Sequence, residues 1–461
     1  MLNLGRLRVQ HCQGVSRRAM LQAGACSALG LGLPNWFSRN AQASASGAPA
    51  KAKSVLLLWL WGGPSHHEMW DLKPSAPQAV RGPYRPIATD SSGMQISELL
   101  PLTARVSEKF CIVRSMAHDQ TDHNVGGTIS LTGNISGARA SGAIPFPGRV
   151  RPSMGALVSY LGRQRKSDWP PFTAIGPSCV VSGAPLLGQE ANTLGAAHDP
   201  FRLNGWVEDE GIQLPASLEP LAEIGASRLD NRHQMLTQLD AWQRGAEASR
   251  EIDRYSELRQ KAFGLLSSSG AKAAFNLDAE PSAIRDRYGR TTFGQNCILA
   301  RRLVEASVPF VQLNWSGDAE DEQQGGDGGW DLHYRLFERM QDRYCPVFDL
   351  AFSALLSDLD RRGLLSTTLV LAMGEFGRSP KISSIGGREH WPFGYSIVAA
   401  GAGIPGGAVI GSTTFDGGHP AERPNHPVDV VATVLQKMGL NREELFEKDA
   451  AILGSPIPEL V

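Results

Sequence analysis

Apolar residues along this chain gather in short unbroken runs. Ser54–Trp61 (Ser-Val-Leu-Leu-Leu-Trp-Leu-Trp) shows no polar alternation over the length of a strand. That pattern belongs to a strand buried on both faces, as in a largely parallel sheet. Phe110–Val113, Val308–Trp315, Thr368–Met373, Tyr395–Ala400 and Ala408–Gly411 read as further strands. Apolar residues at helical spacing predict helices over Phe293–Ala306, Leu332–Arg362 and Val428–Met438, and Asn124–Thr132 reads as the start of another. Pro346 falls inside the Leu332–Arg362 pattern and is expected to kink or split it. Strands alternating with helices at both ends of the chain predict an α/β fold, with a mostly parallel central sheet flanked by helices.

The middle of the chain breaks this rhythm. Residues 134–215 are rich in Gly and Pro and hold no single period, so they read as long loops with short elements. From Leu218 to about Ser267 the pattern is polar and helical. Together, residues 134–280 read as a loop-rich and helical insertion into a domain spanning 54–461.

Charge changes the picture at the N-terminus. The chain carries 45 Lys and Arg against 46 Asp and Glu, yet its first acidic residue is Glu68. Ser16-Arg17-Arg18-Ala19-Met20-Leu21, a weakly apolar run to Leu33, and Ala41-Gln42-Ala43 form a twin-arginine signal pattern with a small-x-small cleavage site. Residues 1–43 are therefore expected to direct export to the periplasm or beyond. Residues 44–53 then read as a linker. Removing 1–43 leaves 40 basic and 46 acidic residues, a net of −6. This balance argues against nucleic acid as a partner. No run is a comfortable membrane span, so no integral membrane segment is expected in the mature form.

Four cysteines remain in the mature chain: Cys111, Cys179, Cys297 and Cys345. None forms a C-x-x-C pair, which disfavours zinc ribbons and thioredoxin-type chemistry. Disulfides and buried thiols are both open readings. No G-x-G-x-x-G follows a strand in a βαβ context, and cofactor spacing is absent, so a redox carrier is disfavoured.

Candidate chemistry sits after the expected strands. Ser65-His66-His67-Glu68 follows the first, His118, Asp119, Asp122 and His123 the second, and Trp330-Asp331-Leu332-His333 an acidic loop. Glu375 and Arg378 follow Thr368–Met373, with Arg388-Glu389-His390-Trp391 shortly after. In open α/β sheets such strand ends converge on one edge, where ligands bind. His and carboxylate groups meeting there would suit a divalent metal ion.

Gly62-Gly63-Pro64-Ser65-His66, Gly329-Trp330-Asp331-Leu332-His333, Met373-Gly374-Glu375-Phe376-Gly377-Arg378-Ser379-Pro380-Lys381 and Gly387-Arg388-Glu389-His390-Trp391-Pro392 carry a resemblance. They resemble domain-of-unknown-function family 1501, a family of exported bacterial proteins similar to the alkaline phosphatase and sulfatase superfamily. The resemblance implies that superfamily's fold. It implies that Asp331, His333 and His390 ligate one metal. It also aligns His123–Gly133 with a helix that carries the nucleophile, putting His123 where Ser, Thr or Cys is usual. Glu375-Phe376 stands where a second metal's Asp-His pair is expected. Gly62-Gly63 replaces an acidic ligand, with His66 nearby.

Two functional expectations follow. The first is an exported metal-dependent hydrolase of phosphate or sulfate esters, acting on a small-molecule or glycan ester. Asp331, His333, Glu375, His390 and His66 would serve a Zn, Mn or Ca ion. His123 would act as base or nucleophile, and Arg378 and Arg388 would neutralise the ester oxygens. The second is a catalytically degenerate scaffold of the same kind that binds an anionic glycan or a partner protein.

Overall fold

The computed structural model describes residues 52–164, 169–203, 273–315 and 329–461, together with 207–208, 211–212, 231 and 234–235. The export segment at 1–43, residues 44–51 of the linker, nearly all of the helical stretch from Leu218 to Ser267 and the acidic loop at 316–328 lie outside the described residues.

Eight strands build the central sheet: β1 (Ser54–Leu60), β2 (Phe110–Met116), β3 (Phe172–Ile175), β4 (Phe201–Leu203), β5 (Phe310–Trp315), β6 (Thr368–Met373), β7 (Tyr395–Ala400) and β8 (Val409–Ile410). Their order across the sheet is β8-β2-β7-β6-β1-β5-β3-β4. Strand β1 sits at the centre, pairing in parallel with β5 (Val55 opposite Phe310) and with β6 (Val55 opposite Leu369). Only β7 runs against its neighbours β6 and β2. The reason lies in its connection. Parallel neighbours need a long crossover, whereas residues 374–394 leave β6 and return to the same edge through a two-residue antiparallel ladder, Gly377–Arg378 against His390–Trp391.

Every residue of β1 is buried, as its continuous apolar run requires. Its alternation divides the core. Leu56, Leu58 and Leu60 pack with helices α3 (Thr292–Glu305) and α4 (Cys345–Arg361) on one face. Val55, Leu57 and Trp59 face α2 (Met154–Leu161) and α5 (Pro427–Lys437) on the other. Helix α1 (His123–Thr132) adds Leu131 to this second layer.

The strands at Thr368–Met373 and Tyr395–Ala400 fall where the sequence pattern puts them. Three features differ. Strand β2 continues to Met116, beyond its apolar core. Strands β3 and β4, with helix α2, lie within residues read as loops; the strands are only four and three residues long, too short to show a period. The Leu332–Arg362 pattern becomes helix from Leu336 only. A π-helical turn, Met340–Tyr344, then directly precedes α4, which opens on Cys345-Pro346. Proline lacks the N–H and crowds the preceding turn, and a widened turn relieves both demands without breaking the rod.

All four cysteines in the described residues are buried free thiols. Among the described residues no helix is long and apolar enough to cross a membrane.

Candidate metal centre

The parallel strands β1, β2 and β6 deliver their C-terminal ends, and antiparallel β7 its start, to one edge of the sheet. Beyond β1 lie Gly62 and Gly63, both with positive φ. A Cβ on Gly62 would lie 2.4 Å from the Asp331 nitrogen and 2.7 Å from that of Trp330. Glycine is therefore what lets the Trp330–Asp331 backbone press against the strand end, where Trp330 N–H donates to the Trp61 carbonyl at 2.8 Å. Asp331 is buried as a result.

After β2 the chain turns through residues 117–122 into α1. Asp122 caps this helix, its Oδ1 accepting from the N–H groups of Asn124 (2.9 Å) and Val125 (3.2 Å). The cap fixes His123 as the first helical residue. Its buried ring lies beside Trp61, Phe376 and His390, with centroids 5.3, 5.0 and 4.1 Å away.

Three imidazoles then converge on one carboxylate. The Nε2 of His123 is 3.3 Å from Asp331 Oδ2. The Nε2 atoms of His333 and His390 lie 3.0 and 3.1 Å from Asp331 Oδ1, and 2.9 Å from each other. Each ring is anchored from behind through Nδ1: His123 to Glu375 Oε1 at 2.6 Å, His390 to the Thr121 carbonyl at 2.7 Å, His333 to Glu389 Oε2 at 3.1 Å. An oxygen acceptor at Nδ1 holds the proton there and turns the Nε2 lone pair forward, the arrangement found behind metal-ligating histidines. The Nε2 of His123 is also a buried atom without a hydrogen-bond partner.

Without an ion, the Asp331 and Glu375 carboxylates favour a second proton on His123, which a bound cation would have to displace. Burial works against ionising Asp331, but the Arg378 guanidinium and the neighbouring imidazoles outweigh it. The carboxyl is held well below the usual range. Burial lowers the imidazolium of His123, and the Asp331 and Glu375 carboxylates more than reverse this, raising it to about 9. Burial, with the neighbouring His123 and Arg378 charges, pushes His390 down.

The donor set fits a divalent cation. One atom each from His123, Asp331 and His390 lie within 4.8 Å of one another. Tetrahedral donors with bonds of roughly 2.0–2.1 Å sit about 3.3 Å apart. The separations of Asp331 from the Nε2 atoms of His123 and His390, 3.3 and 3.1 Å, are close to this spacing.

Residues 52–452 match the family model described as "Protein of unknown function (DUF1501)". The chain belongs to the DUF1501 family. No curated protein matches it. Solved structures similar to it include the PsFucS1 sulfatase from Pseudoalteromonas sp., at 13% identity over 88% of this chain and 71% of that one, with a TM-score of 0.35. A mutant of the alkaline phosphatase PafA is similar at 11% identity over 90% and 100%, TM-score 0.40. Ps i-CgsB in complex with k-i-k-neocarrahexaose is similar at 10% identity over 87% and 74%, TM-score 0.37.

Within this DUF1501 chain, the expected site residues part company. His123, Asp331, His333 and His390 come together. Glu375, expected as a ligand, stands one step behind the candidate donors: its carboxylate accepts from His123 and from the Gly62 N–H (3.1 and 3.3 Å). His123, expected as base or nucleophile, instead points into the donor set.

The two arginines do not form an anion clamp. Both are completely buried. Arg378 donates to the carbonyls of Gly62, Gly63 and Arg388 and to Asp331, tying strand end and ligand together. Arg388 forms a buried pair with Glu68 (Nη2 to Oε1, 2.6 Å) and donates to the carbonyls of Ser379, Pro380 and Val80. His66 is also absent from the cluster. Its Nε2 meets the Gly417 carbonyl at 3.0 Å and its ring packs on His67, a consequence of the short His66–Met69 helix turning away after Pro64. Thr121 has no part in the sequence reading, and Glu389 appears there only within the Arg388–Trp391 cluster, without a role of its own. The signal for Glu389 was its place directly before His390; a backbone carbonyl such as that of Thr121 leaves none.

Proposed function

We propose that this protein is an exported divalent-metal hydrolase acting on an anionic phosphate or sulfate ester. One observation carries the reading: three imidazoles, each anchored at Nδ1, bring Nε2 to one shared carboxylate, that of Asp331. Asp331, His333, His390 and His123 would hold the ion. An imidazole-rich set favours a zinc- or manganese-type ion over calcium, which takes six to eight oxygens. Such an ion, when bound, polarises an ester oxygen and lowers the pKa of a bound water. Glu375 keeps the His123 tautomer that points Nε2 inward. The Thr121 carbonyl and Glu389 do the same for His390 and His333. Arg378 keeps Asp331 ionised. The twin-arginine pattern at 16–21 supports export, and the acidic mature chain is consistent with a partner other than nucleic acid.

The experiment is elemental analysis of purified mature protein, followed by assays on aryl phosphates, aryl sulfates and phosphodiesters with added Zn²⁺ or Mn²⁺. The reading expects near-stoichiometric metal and turnover that disappears in both Asp331→Asn and His390→Ala. Folded wild-type protein that takes up no metal would overturn it.

A second reading has its own support. Both arginines are locked away from solvent, and no hydroxyl or thiol occupies the first position of α1, where His123 stands. A scaffold that binds an anionic glycan or a protein without turning it over meets these facts. Full metal occupancy with no turnover on any ester would select it.

A further inference from the structure

A cavity of about 540 Å³ opens beside the metal centre, between the C-terminal half of α1 and the start of α5. Its volume is in the range of small-molecule sites. Two chain segments that serve the centre also frame this cavity. Residues 117–119 line it, and the same turn continues to Thr121, which holds His390. Phe393 lines it three residues after His390, and Pro392 accepts from the His118 N–H at 2.9 Å. His118 Nε2 in turn meets the Glu375 carbonyl at 2.6 Å.

The walls have a definite chemistry. Phe393 and His419 present rings 5.9 Å apart, backed by Trp391 at 5.1 Å from Phe393 and 5.8 Å from His419. Ile129, Ile135 and Val428 supply half-buried apolar floor. Asp119 and His426 are exposed at the rim; His426 uses Nδ1 on the Ala117 carbonyl (2.7 Å), which leaves Nε2 for a ligand. Among the described residues that line it there is no lysine or arginine. A sulfate or phosphate group therefore has no countercharge here. An acyl chain would meet a carboxylate, an amide and three imidazoles. Flat rings with a few hydrogen-bonding groups suit a body that is apolar on its faces and hydroxylated at its edge.

We propose that this cavity binds an uncharged sugar ring of an oligosaccharide, stacked on Phe393 and His419 with hydroxyls on Asp119 and His426. His123 and Ile129 lie about 9 Å apart along the axis of α1. The sugar held here is thus a neighbour of the unit that reaches the metal centre, and the substrate is a chain of more than one ring. That last step rests on the hydrolase reading; the sugar site itself does not.

The test is calorimetric titration of the mature protein with neutral agaro- and cello-oligosaccharides, in metal-loaded and chelator-treated forms. The expected result is saturable binding that survives chelation. Phe393→Ala weakens it about tenfold, as loss of a stacking ring does, and Ile135→Trp, which fills the floor, abolishes it. Both variants keep the wild-type metal content. Hydrogen exchange on the wild type gives a readout independent of variant folding: sugar protects the amides of 129–135 and 393. Absence of saturable binding to either series overturns the sugar site, as does binding within twofold of wild type in both folded variants. Sugar binding by a protein that takes up no metal even when Zn²⁺ or Mn²⁺ is supplied supports the cavity and sinks the hydrolase reading instead.

Discussion

The Nε2 atoms of His333 and His390 face each other at 2.9 Å, both within 3.1 Å of the same oxygen of Asp331. With Nδ1 of each ring held by an oxygen, two lone pairs point at one another and at a carboxylate. Such an arrangement is favourable once a cation or a shared proton lies among them. Zn²⁺ is expected to stabilise the folded protein by about 2.7 kcal/mol at a free concentration a hundred times its Kd. Thermal unfolding with and without a chelator measures this. A melting temperature indifferent to Zn²⁺ and Mn²⁺ would count against the centre.

Asp331 and His390 should respond differently to truncation. His390→Ala removes a donor on the half-buried side and is expected to lower metal occupancy with little loss of fold. Asp331→Ala also strips the completely buried Arg378 of its countercharge. Uncompensated buried charges of this kind cost roughly 3–5 kcal/mol. Denaturant unfolding of the two metal-free variants reads the difference, and equal stabilities would show that Arg378 does not depend on Asp331.

Glu375→Gln keeps an oxygen for the Gly62 N–H but weakens the hold on His123 Nδ1. Loss of such a supporting carboxylate typically lowers metal affinity about 10–100-fold. A competition titration against a chromophoric chelator checks this. Complete loss of binding would instead make Glu375 a ligand.

Arg388→Ala should act on stability and leave the metal centre intact in folded protein. It abandons Glu68, which is buried and shared with Ser65. The expected cost is about 3–5 kcal/mol. An ester assay on the folded fraction that shows a raised KM with unchanged stability would restore the arginine to substrate binding.

Acid should weaken the fold through His66 and His67. Burial pushes the His66 imidazolium down to about 4 against the pull of Asp71, and pushes His67 down as well, with the His66, Arg388 and Lys73 charges adding to it. Between pH 6.5 and 4 the unfolded chain therefore binds protons that the folded chain refuses, so stability falls as pH drops through this window. His66 alone contributes about 3 kcal/mol across it. Denaturant midpoints measured in steps from pH 7 to 4, with and without His66→Asn and His67→Asn, report the effect. Variants as acid-sensitive as wild type would place the loss elsewhere.

The centre was legible in sequence to the extent that strand ends are legible. β1, β6 and β7 announce themselves as unbroken apolar runs, and His123, Asp331, His333, Glu375 and His390 follow strands or precede one. What sequence position could not separate was direction. Arg388 is two residues from His390 on the same excursion, yet it lies before the ladder begins at His390, and its guanidinium pairs with Glu68. His66 follows the central strand as closely as any ligand, but the helical turn after Pro64 carries it toward Gly417. The short strands β3 and β4, at one end of the sheet, were hidden for a different reason. Three or four residues cannot display a period, and their burial comes from neighbours distant in sequence.

The single reversed strand has a last consequence. Residues 374–394 set out from β6 and rejoin the sheet at β7 on the same edge, and their two ends are stitched together by Gly377–Arg378 against His390–Trp391. This stretch is thereby a brace: its buried Glu375, Arg378 and Arg388 tie it to the end of β1, to Asp331 and to Glu68. Its tip is fixed as well: the Ile382 N–H donates to the Ala79 carbonyl, and the carbonyls of Ile385 and Gly386 accept from Arg335 and Leu336, just after His333.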